Sequence, residues 1–306
     1  MKISIMGAGA IGSLFGGYLK NAGQDVTLIG RDWNIEPIKE RGLELIPHNS
    51  DKKLTIRINA TTDPNELEYQ ELIILTVKAY DTKRALKDMK PIVEDDYTRI
   101  LCLQNGYGTE NIAADLYSKA QVLRGTTSNG AQIKPGLVIH TGQGDTHIGR
   151  LVSSTKVDDI IEIFNSTKLK AKFVENINKI VWNKVLVNVA INPFGALTNL
   201  KNGQLLEHSN IVECMKIAVS EGIEVLKSHG LKLNKQKSIQ KAIKVAERTA
   251  DNKNSMLQDI EKGKRTEIKY INGAISELSK EKNIETPMND LLTALIKGLE
   301  YSKIKK

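Results

Sequence analysis

Six residues near the amino terminus have the types and spacing of a phosphate-binding loop. They follow the predicted strand Lys2–Met6, precede a segment with helical spacing of apolar side chains, and read Gly7-Ala8-Gly9-Ala10-Ile11-Gly12. In this context Gly7 allows a tight turn, Gly9 lets a pyrophosphate approach the backbone, and Gly12 allows close packing of helix on strand. The free N–H groups and positive end of that helix then face the phosphates. A glycine-rich turn without a ligand is the alternative.

The residue after the second predicted strand, Val26–Ile29, indicates which dinucleotide binds. NAD enzymes place Asp or Glu about twenty residues after the glycines, where it accepts a hydrogen bond from the ribose 2′-hydroxyl. Here Arg31 stands nineteen positions after Gly12, and a guanidinium suits a 2′-phosphate. We therefore expect NADPH or NADP+ as the cofactor. The alternative is that Arg31 lies in a solvated loop and Asp32 serves an NAD site.

Polar side chains recur at helical spacing in an otherwise apolar stretch of the second half. Lys184 and Asn188 are one turn apart, and Asn192 continues near that face, just before Pro193. A lysine on a partly apolar face can serve as a proton donor, because desolvation lowers its pKa. Taken alone, however, a surface lysine and two helix-end asparagines are the more common explanation.

Other polar residues stand at positions where ligands bind in α/β proteins. Lys78 and Asn105 each follow a predicted strand, and ligands of parallel sheets bind at the carboxyl ends of strands. Asn105 precedes a glycine, and Asn-Gly is also an ordinary turn signal. Ser255 begins a second cluster, in which Glu267 is locally explained as a first-turn acid after a capping Thr266.

The elements that must position these residues change character along the chain. Up to about residue 176, strands alternate with helices; further predicted elements are Leu72–Val77, Thr82–Met89, Arg99–Leu103, Val157–Asn165 and Ala171–Val174. The glycine-rich segment 122–151 is typical of antiparallel strands that extend the sheet. Beyond it only helical periodicity remains, at 178–191, 210–228, 235–248, 266–280 and 290–303. We predict an α/β fold, with a Rossmann-type dinucleotide-binding domain and antiparallel extension at 1–176 and an all-helical substrate and catalytic domain at 177–306.

Composition excludes several classes of protein. The 306 residues suit two domains, and 40% hydrophobic content supplies a core without an apolar run long enough to span a membrane. Two cysteines and the lack of a signal peptide favour the cytoplasm, and with five scattered histidines they indicate no metal site. The charge of +8 comes from dispersed lysines, and aromatic residues are only 5%. We therefore expect no nucleic acid as a partner.

Taken together, these motifs resemble the ketopantoate reductase (2-dehydropantoate 2-reductase) family over nearly the whole chain. The resemblance is carried by the glycine loop, Arg31, Val77-Lys78-Ala79, Leu103-Gln104-Asn105-Gly106, the Gly125 to Gly149 segment, Trp182-x-Lys184-x-x-x-Asn188-x-x-x-Asn192-Pro193, Ser255-Met256-Leu257-Gln258-Asp259 and Thr266-Glu267-Ile268-x-Tyr270-Ile271-Asn272-Gly273. Their joint appearance in order favours functional roles for residues that are ambiguous alone. Two departures stand beside functional positions: Lys269, where the family usually has an acid, and Asn254, where it commonly has Ser.

The resemblance implies NADPH-dependent reduction of the 2-keto group of ketopantoate to pantoate, for coenzyme A synthesis, without a metal. It implies these roles: Lys184 as general acid, Glu267 to hold the substrate hydroxyl and orient that lysine, Asn105 to position the ketone and nicotinamide, Asn188 and Asn192 to bind substrate hydroxyls, Ser255 to meet the carboxylate, and Lys78 to act at the cofactor end. The substrate is then a small anionic 2-keto acid.

Two other functions remain compatible with the residues. The chain could reduce a different 2-keto acid with the same machinery, or it could be a non-catalytic NADP(H) sensor. The sensor gives no reason for Lys184, Asn188, Ser255 and Glu267 to occur together. The long helices of the second half allow a homodimer, since cyclic dimers are the commonest assembly.

Overall fold

The computed structural model describes residues 1–304, which divide into two compact units. The first unit comprises Met1–Gln104 and Thr109–Ile177. The second comprises Asn105–Gly108 and the chain from Asn178 onward. A tetrapeptide from the first half of the sequence thus belongs to the second unit.

The first unit is an α/β structure. Its strands are β1 (Lys2–Met6), β2 (Asp25–Ile29), β3 (Leu43–Ile46), β4 (Leu54–Ile56), β5 (Asn59–Thr61), β6 (Leu72–Leu75), β7 (Arg99–Cys102), β8 (Val122–Thr127), β9 (Gly130–Lys134), β10 (Leu137–Gly142), β11 (Thr146–Arg150) and β12 (Ala171–Phe173). Its helices are α1 (Ala10–Asn21), α2 (Asp32–Arg41), α3 (Thr82–Asp88), α4 (Thr109–Leu116) and α5 (Asp158–Asn165).

Eight strands form the main sheet, in the order β12-β11-β8-β7-β6-β1-β2-β5. Neighbouring strands are parallel except for the antiparallel pair β8 and β11. The prediction that segment 122–151 extends this sheet is half right. Strands β8 and β11 do so, but β9 and β10 join β3 and β4 in a separate four-stranded sheet. Their partners lie about ninety residues earlier in the chain, in a stretch for which the hydrophobic pattern predicts no element.

The main sheet is buried on both faces, as parallel sheets are. Alternate side chains of one strand enter different cores: Leu72 and Ile74 pack in the cluster that contains α1 and α5. Ile73 and Leu75 pack in the cluster that contains residues of α3 and α4. The continuous apolar run of β6 therefore reflects burial on both sides.

In its described residues, the second unit contains helices joined by turns and loops, and no β-strand. Its helices are α6 (Ile177–Thr198), α7 (Asn202–Leu206), α8 (Ser209–Ser228), α9 (Lys235–Arg248), α10 (Ser255–Glu261), α11 (Asn272–Lys280) and α12 (Pro287–Ile304). Among residues 1–304, α6 is the single helix long and apolar enough to cross a membrane by length and composition, and 72% of that stretch is buried, as in the core helix of a folded unit. The predicted class, a Rossmann-type α/β domain followed by a helical one, is confirmed.

Helix α6 runs further than the predicted 178–191 and includes Pro193. Proline has no N–H, so it leaves the carbonyl four residues earlier, on Val189, without its usual helical partner. The side-chain amide of Asn272 lies 3.5 Å from that oxygen and donates to it. Asn254 donates in the same way to the carbonyl of Ile191, at 3.4 Å. Side chains from elsewhere in the unit thus satisfy the backbone around Pro193, and the helix continues.

Candidate active site

The glycine loop has the geometry of a dinucleotide-binding turn. Gly7 adopts a φ of +115°, and a β-carbon there would lie 2.6 Å from the backbone nitrogen of Val77. A β-carbon on Gly12 would overlap the carbonyl oxygen of Gly7, so α1 can pack this closely only with glycine. At Gly9, by contrast, no described atom lies within 4 Å of the β-carbon position. The loop therefore leaves open space at the amino terminus of α1, where a pyrophosphate fits the free N–H groups.

Two side chains that the motif analysis missed support this loop. The Thr76 hydroxyl donates to the carbonyl of Gly7 at 2.8 Å. The buried Asn34 side chain donates to the carbonyl of Ala8 at 2.8 Å. Ala10 and Ile11 follow as the first residues of α1. Thr76 directly follows β6, and its position at the carboxyl end of a strand is the signal in the sequence that could have identified it as part of the site.

Arg31 directly precedes α2 and carries an exposed guanidinium. It pairs with Asp81 at 3.2 Å, and Arg84 pairs with the other oxygen of the same carboxylate at 3.3 Å. Asp32 is the first residue of α2. Two arginines share one carboxylate, so this patch keeps a net positive charge although Asp81 offsets one of the two guanidinium charges. The sequence analysis identified only Arg31. Such a patch suits a phosphate group.

Lys78 and Asn105 both follow strands of the main sheet, as predicted. Lys78 is half-buried three residues after β6, and its carbonyl accepts from the backbone of Asp81 at 2.8 Å. Asn105 lies three residues after β7 and is followed by Gly106 with a φ of +83°. A β-carbon on Gly106 would lie 2.6 Å from both the β-carbon and the carbonyl oxygen of Tyr270. The glycine thus allows the Asn105–Gly108 turn to approach Tyr270.

The central contact of the second unit joins Lys184 to Asn105. Nζ of Lys184 donates to Oδ1 of Asn105 at 2.8 Å, across seventy-nine residues of sequence. Beside it, the rings of Tyr107 and Trp182 pack with their centroids 4.4 Å apart. The ammonium of a half-buried lysine is therefore held in a defined position by an amide oxygen. A proton donor of this kind can protonate an oxygen on which negative charge develops.

The predicted substrate residues extend from this lysine along α6. Asn188 is half-buried and Asn192 is 4% exposed. Ser255 is exposed and is the first residue of α10. Asn254 caps α10 by accepting from the backbone of Leu257 at 3.0 Å, and its amide also reaches α6 at the Ile191 carbonyl. This departure from the family pattern ties the helix of Ser255 to the helix of Asn192.

Glu267 is buried, at 5% exposed, and directly precedes a 3-10 turn at Ile268–Tyr270. The predicted helix 266–280 is therefore wrong in its first part, since α11 begins only at Asn272. Thr266 makes two hydrogen bonds at this interruption, one local and one to a distant residue. The Thr266 hydroxyl accepts from the backbone of Ile268 at 3.2 Å, and its backbone N–H donates to Glu300 at 2.7 Å.

Within residues 1–304, no group of three or more His, Cys, Asp or Glu side chains has an arrangement that could hold a metal ion. The polar groups described above are amides, a lysine, a hydroxyl and a carboxylate. Amides, a hydroxyl and an ammonium can bind an organic anion and donate a proton to it.

The first unit has a glycine loop after the first strand of a mostly parallel sheet. The helical unit has a lysine beside amide groups. These features define a two-domain dehydrogenase with a Rossmann-type nucleotide site. Family models agree: "Ketopantoate reductase PanE/ApbA" matches residues 3–153, and "Ketopantoate reductase PanE/ApbA C terminal" matches residues 176–300. The chain belongs to the ketopantoate reductase family, which confirms the resemblance.

Relatives match over their full lengths. The 2-dehydropantoate 2-reductase of Pyrococcus abyssi is 41% identical over 309 residues, with 100% of both chains covered. That of Pyrococcus horikoshii is 43% identical over 303 residues, with 98% of each covered. Among solved structures, a D-mandelate dehydrogenase with NADH and anilino(oxo)acetate is 30% identical, covers 99% of each chain and has a TM-score of 0.93.

Proposed function

We propose that this chain is an NADPH-dependent 2-dehydropantoate 2-reductase. It reduces ketopantoate to pantoate in the biosynthesis of pantothenate and coenzyme A, with Lys184 as the general acid. The observation that carries the proposal is the 2.8 Å hydrogen bond from Lys184 to Asn105, in a chain of this family. The two Pyrococcus relatives described above carry the name of this activity and match over at least 98% of their length.

The chemistry needs a proton donor at the keto oxygen. NADPH, when bound, supplies a hydride to the keto carbon. Negative charge then develops on the oxygen, and the Lys184 ammonium stabilises it and donates the proton. Asn105 orients the lysine through its Oδ1 and presents its amide N–H groups to the ketone and nicotinamide. Because the amide oxygen already holds the ammonium, the donor is positioned before the substrate arrives.

The substrate is held by groups that match its functional groups. Asn188 and Asn192 bind its hydroxyl groups from one face of α6, and Ser255 meets its carboxylate. Glu267 holds the substrate hydroxyl and orients Lys184. Its burial supports this role, since a buried carboxylate is retained only with strong partners.

The cofactor occupies the loop Gly7 to Gly12, with Lys78 and Asn105 at the nicotinamide end. The open space at Gly9 supports a bound pyrophosphate. The patch formed by Arg31 and Arg84 supports NADPH over NADH, because two guanidinium groups can bind a 2′-phosphate. Because the structure of one relative was solved with NADH, the preference of this chain for NADPH over NADH must be measured.

A second candidate is the reduction of a different 2-keto acid. It is favoured by the likeness to D-mandelate dehydrogenase, whose structure holds anilino(oxo)acetate. Mechanism and catalytic residues would be shared, and the pocket lining would differ. A third candidate, the NADP(H) sensor, would bind the dinucleotide without turnover.

The test follows NADPH oxidation with ketopantoate and with a panel of other 2-keto acids, including an aryl one. We expect a strong preference for ketopantoate and a loss of about 10²–10⁴-fold in kcat for Lys184→Ala. Lys179→Ala, an exposed lysine on the same helix, is the matched control and should keep its activity. Preference for another 2-keto acid would change the assigned substrate and leave the proposed mechanism unchanged. NADPH binding without turnover of any acid would instead establish the sensor.

Assembly and location are further parts of the proposal. We propose a cytoplasmic enzyme, which both free cysteines support, and a homodimer. Sedimentation velocity at micromolar concentration distinguishes the dimer from a monomer.

A further inference from the structure

A buried ion pair lies at the carboxyl end of β7. Arg124, in β8, is 1% exposed, and Glu110, in the first turn of α4, is 2% exposed. Nε of Arg124 lies 3.1 Å from Oε2 of Glu110. Taking two such charges out of water is costly, and replacing a buried ion pair by apolar residues of similar size is often neutral or stabilising. Stability therefore does not explain why these residues are here.

The guanidinium is directed at the backbone around the end of β7. Nη1 of Arg124 donates to the carbonyls of Cys102 at 2.8 Å and Gly125 at 2.5 Å. Nη2 donates to the carbonyl of Gln104 at 3.1 Å. Cys102 is the last residue of β7 and stands opposite Arg124 in the register. The backbone of Leu103 still donates to the carbonyl of Leu75 at 3.0 Å. At Gln104, the planar fork of the arginine holds the backbone.

The residue after Gln104 is Asn105, the hydrogen-bond acceptor of Lys184. An asparagine side chain is short, so the position of its amide depends on where its own backbone is fixed. The guanidinium fixes that backbone one residue before Asn105. Glu110 in turn is the buried counter-ion that lies against Nε of the same guanidinium. The Cys102 thiol does not compete for the guanidinium, because burial raises its pKa to about 12 and keeps it neutral.

We propose that Arg124, oriented by Glu110, is a positioning residue for the reduction: it fixes the Gln104 carbonyl and thereby sets Asn105, and through it Lys184, at the keto oxygen. This inference rests on the proposed reductase function. In this role, Arg124 and Glu110 need not contact the substrate or the cofactor. Its consequence is that the buried pair serves the rate of the chemical step more than the stability of the fold.

The experiment replaces the pair as a unit. Glu110→Met with Arg124→Met removes both charges and keeps the core filled, so neither charge is left buried alone. The matched control is Arg99→Met with Asp159→Met. It removes a bidentate ion pair (2.6 and 2.8 Å) at the amino end of β7, whereas Arg124 and Glu110 lie at its carboxyl end. Arg124→Lys is measured alongside, because it retains the charge without the fork. Melting curves, kcat and KM for ketopantoate are recorded for each variant and again in an Asn105→Ala background.

We expect the methionine pair to fold and to lower kcat by about 10- to 100-fold, the effect of a small misplacement of catalytic groups. KM should stay within about 3-fold, since the substrate-binding side chains on α6 and α10 are untouched, and Arg124→Lys should fall between. In the Asn105→Ala background the same change should lower kcat by less than about 3-fold, because residues that act as a unit are not additive.

Three results would overturn the inference. One is a folded methionine pair with wild-type kcat. Another is a loss of the same size with and without Asn105, which would place the action of Arg124 elsewhere. If the methionine pair does not fold, a folded Arg124→Lys variant with wild-type kcat is the third. If the wild-type chain turns over no 2-keto acid, the proposed function itself is wrong. That assay is done before any variant is made, so the two failures are distinguishable.

Discussion

A β-carbon on Gly195 would overlap the side-chain amide of Asn254. Gly195 lies in α6 two residues after Pro193, and Asn254 caps α10, so the two helices meet where one residue lacks a side chain. The same amide donates to the carbonyl of Ile191 at 3.4 Å. The close approach of the helices therefore depends on glycine at one position and on a short polar cap at the other.

This contact predicts a pair of coupled substitutions. Gly195→Ala should lower the stability of the helical unit by about 1–3 kcal/mol, the usual cost of overpacking. Asn254→Ser keeps a good helix cap and removes the overlapping amide together with its hydrogen bond to Ile191, so it should restore part of the loss when combined with Gly195→Ala. Thermal melts of the four proteins measure the coupling. The control is Gly298→Ala in α12, where no described atom lies within 4 Å. Purely additive effects would contradict the prediction.

Two glycines of the nucleotide loop should behave differently when replaced by alanine. Gly12→Ala should destabilise the first unit, because its β-carbon would also lie 2.6 Å from the Thr76 hydroxyl. Gly9→Ala should leave the melting temperature unchanged, yet lower NADPH affinity by about tenfold or more, because the methyl group fills the approach of the pyrophosphate. Melting curves and NADPH fluorescence titrations separate the two effects. Unchanged affinity in the Gly9 variant would place the dinucleotide elsewhere.

Cofactor choice should follow the charge of Arg31. Hydrogen bonds to charged groups contribute about 1.5–3 kcal/mol, so Arg31→Ala should raise KM for NADPH by about 10- to 100-fold and leave KM for NADH nearly unchanged. Arg41→Ala, an exposed arginine at the end of α2, is the matched control. Equal changes with both cofactors would show that Arg31 does not contact the 2′-phosphate.

His140 should make the stability of the first unit dependent on pH. The ring is 3% exposed, with Nδ1 3.0 Å from the Tyr18 hydroxyl and Nε2 3.2 Å from Oδ1 of Asn129. Burial lowers the pKa of His140 below its ordinary value, and the nearby His48 and Lys168 lower it further. The neutral ring thus suits the folded protein, with Nε2 donating and Nδ1 accepting.

The direction in which stability changes with pH follows from which state binds the proton more tightly. Because the folded pKa is lowered, the unfolded chain binds the proton more readily, and stability is full above the unfolded value of about 6.5. It is lost as pH falls from there toward the folded pKa. Melting temperatures between pH 7.5 and 5.0 should decline more for wild type than for His140→Gln. His208→Gln, at an exposed residue, should follow wild type, and a parallel decline in all three would disprove the assignment.

Local patterns predicted the fold where the decisive contacts are local. The order β1, glycine loop, α1 and β2 was readable, because strand, turn and helix each have their own spacing. Helix α9 occupies the predicted 235–248. Helix α6 was predicted too short because Pro193 is a stop signal, and the compensating donor, Asn272, stands 83 positions from the carbonyl it satisfies. No window of periodicity contains both residues.

The site was readable only as a set of motifs. Lys184 and Asn105 each had a more common local explanation, and their hydrogen bond joins positions 79 residues apart. The order of the family motifs indicated them where spacing could not. Arg124 had no signal at all, because it stands in an ordinary-looking strand and its partners are backbone carbonyls. Arg84 was missed although it stands three residues after Asp81, because only the fold brings Arg31 to the same carboxylate.

The tetrapeptide Asn105–Gly108 makes the two units inseparable by a single cut. The chain passes from one unit to the other after residues 104, 108 and 177. The helical part produced alone from residue 178 onward would have Trp182 without the ring of Tyr107 and Lys184 without Asn105 as its acceptor. Chimaeras that exchange the helical half between relatives must therefore graft two pieces of sequence, one of them only four residues long.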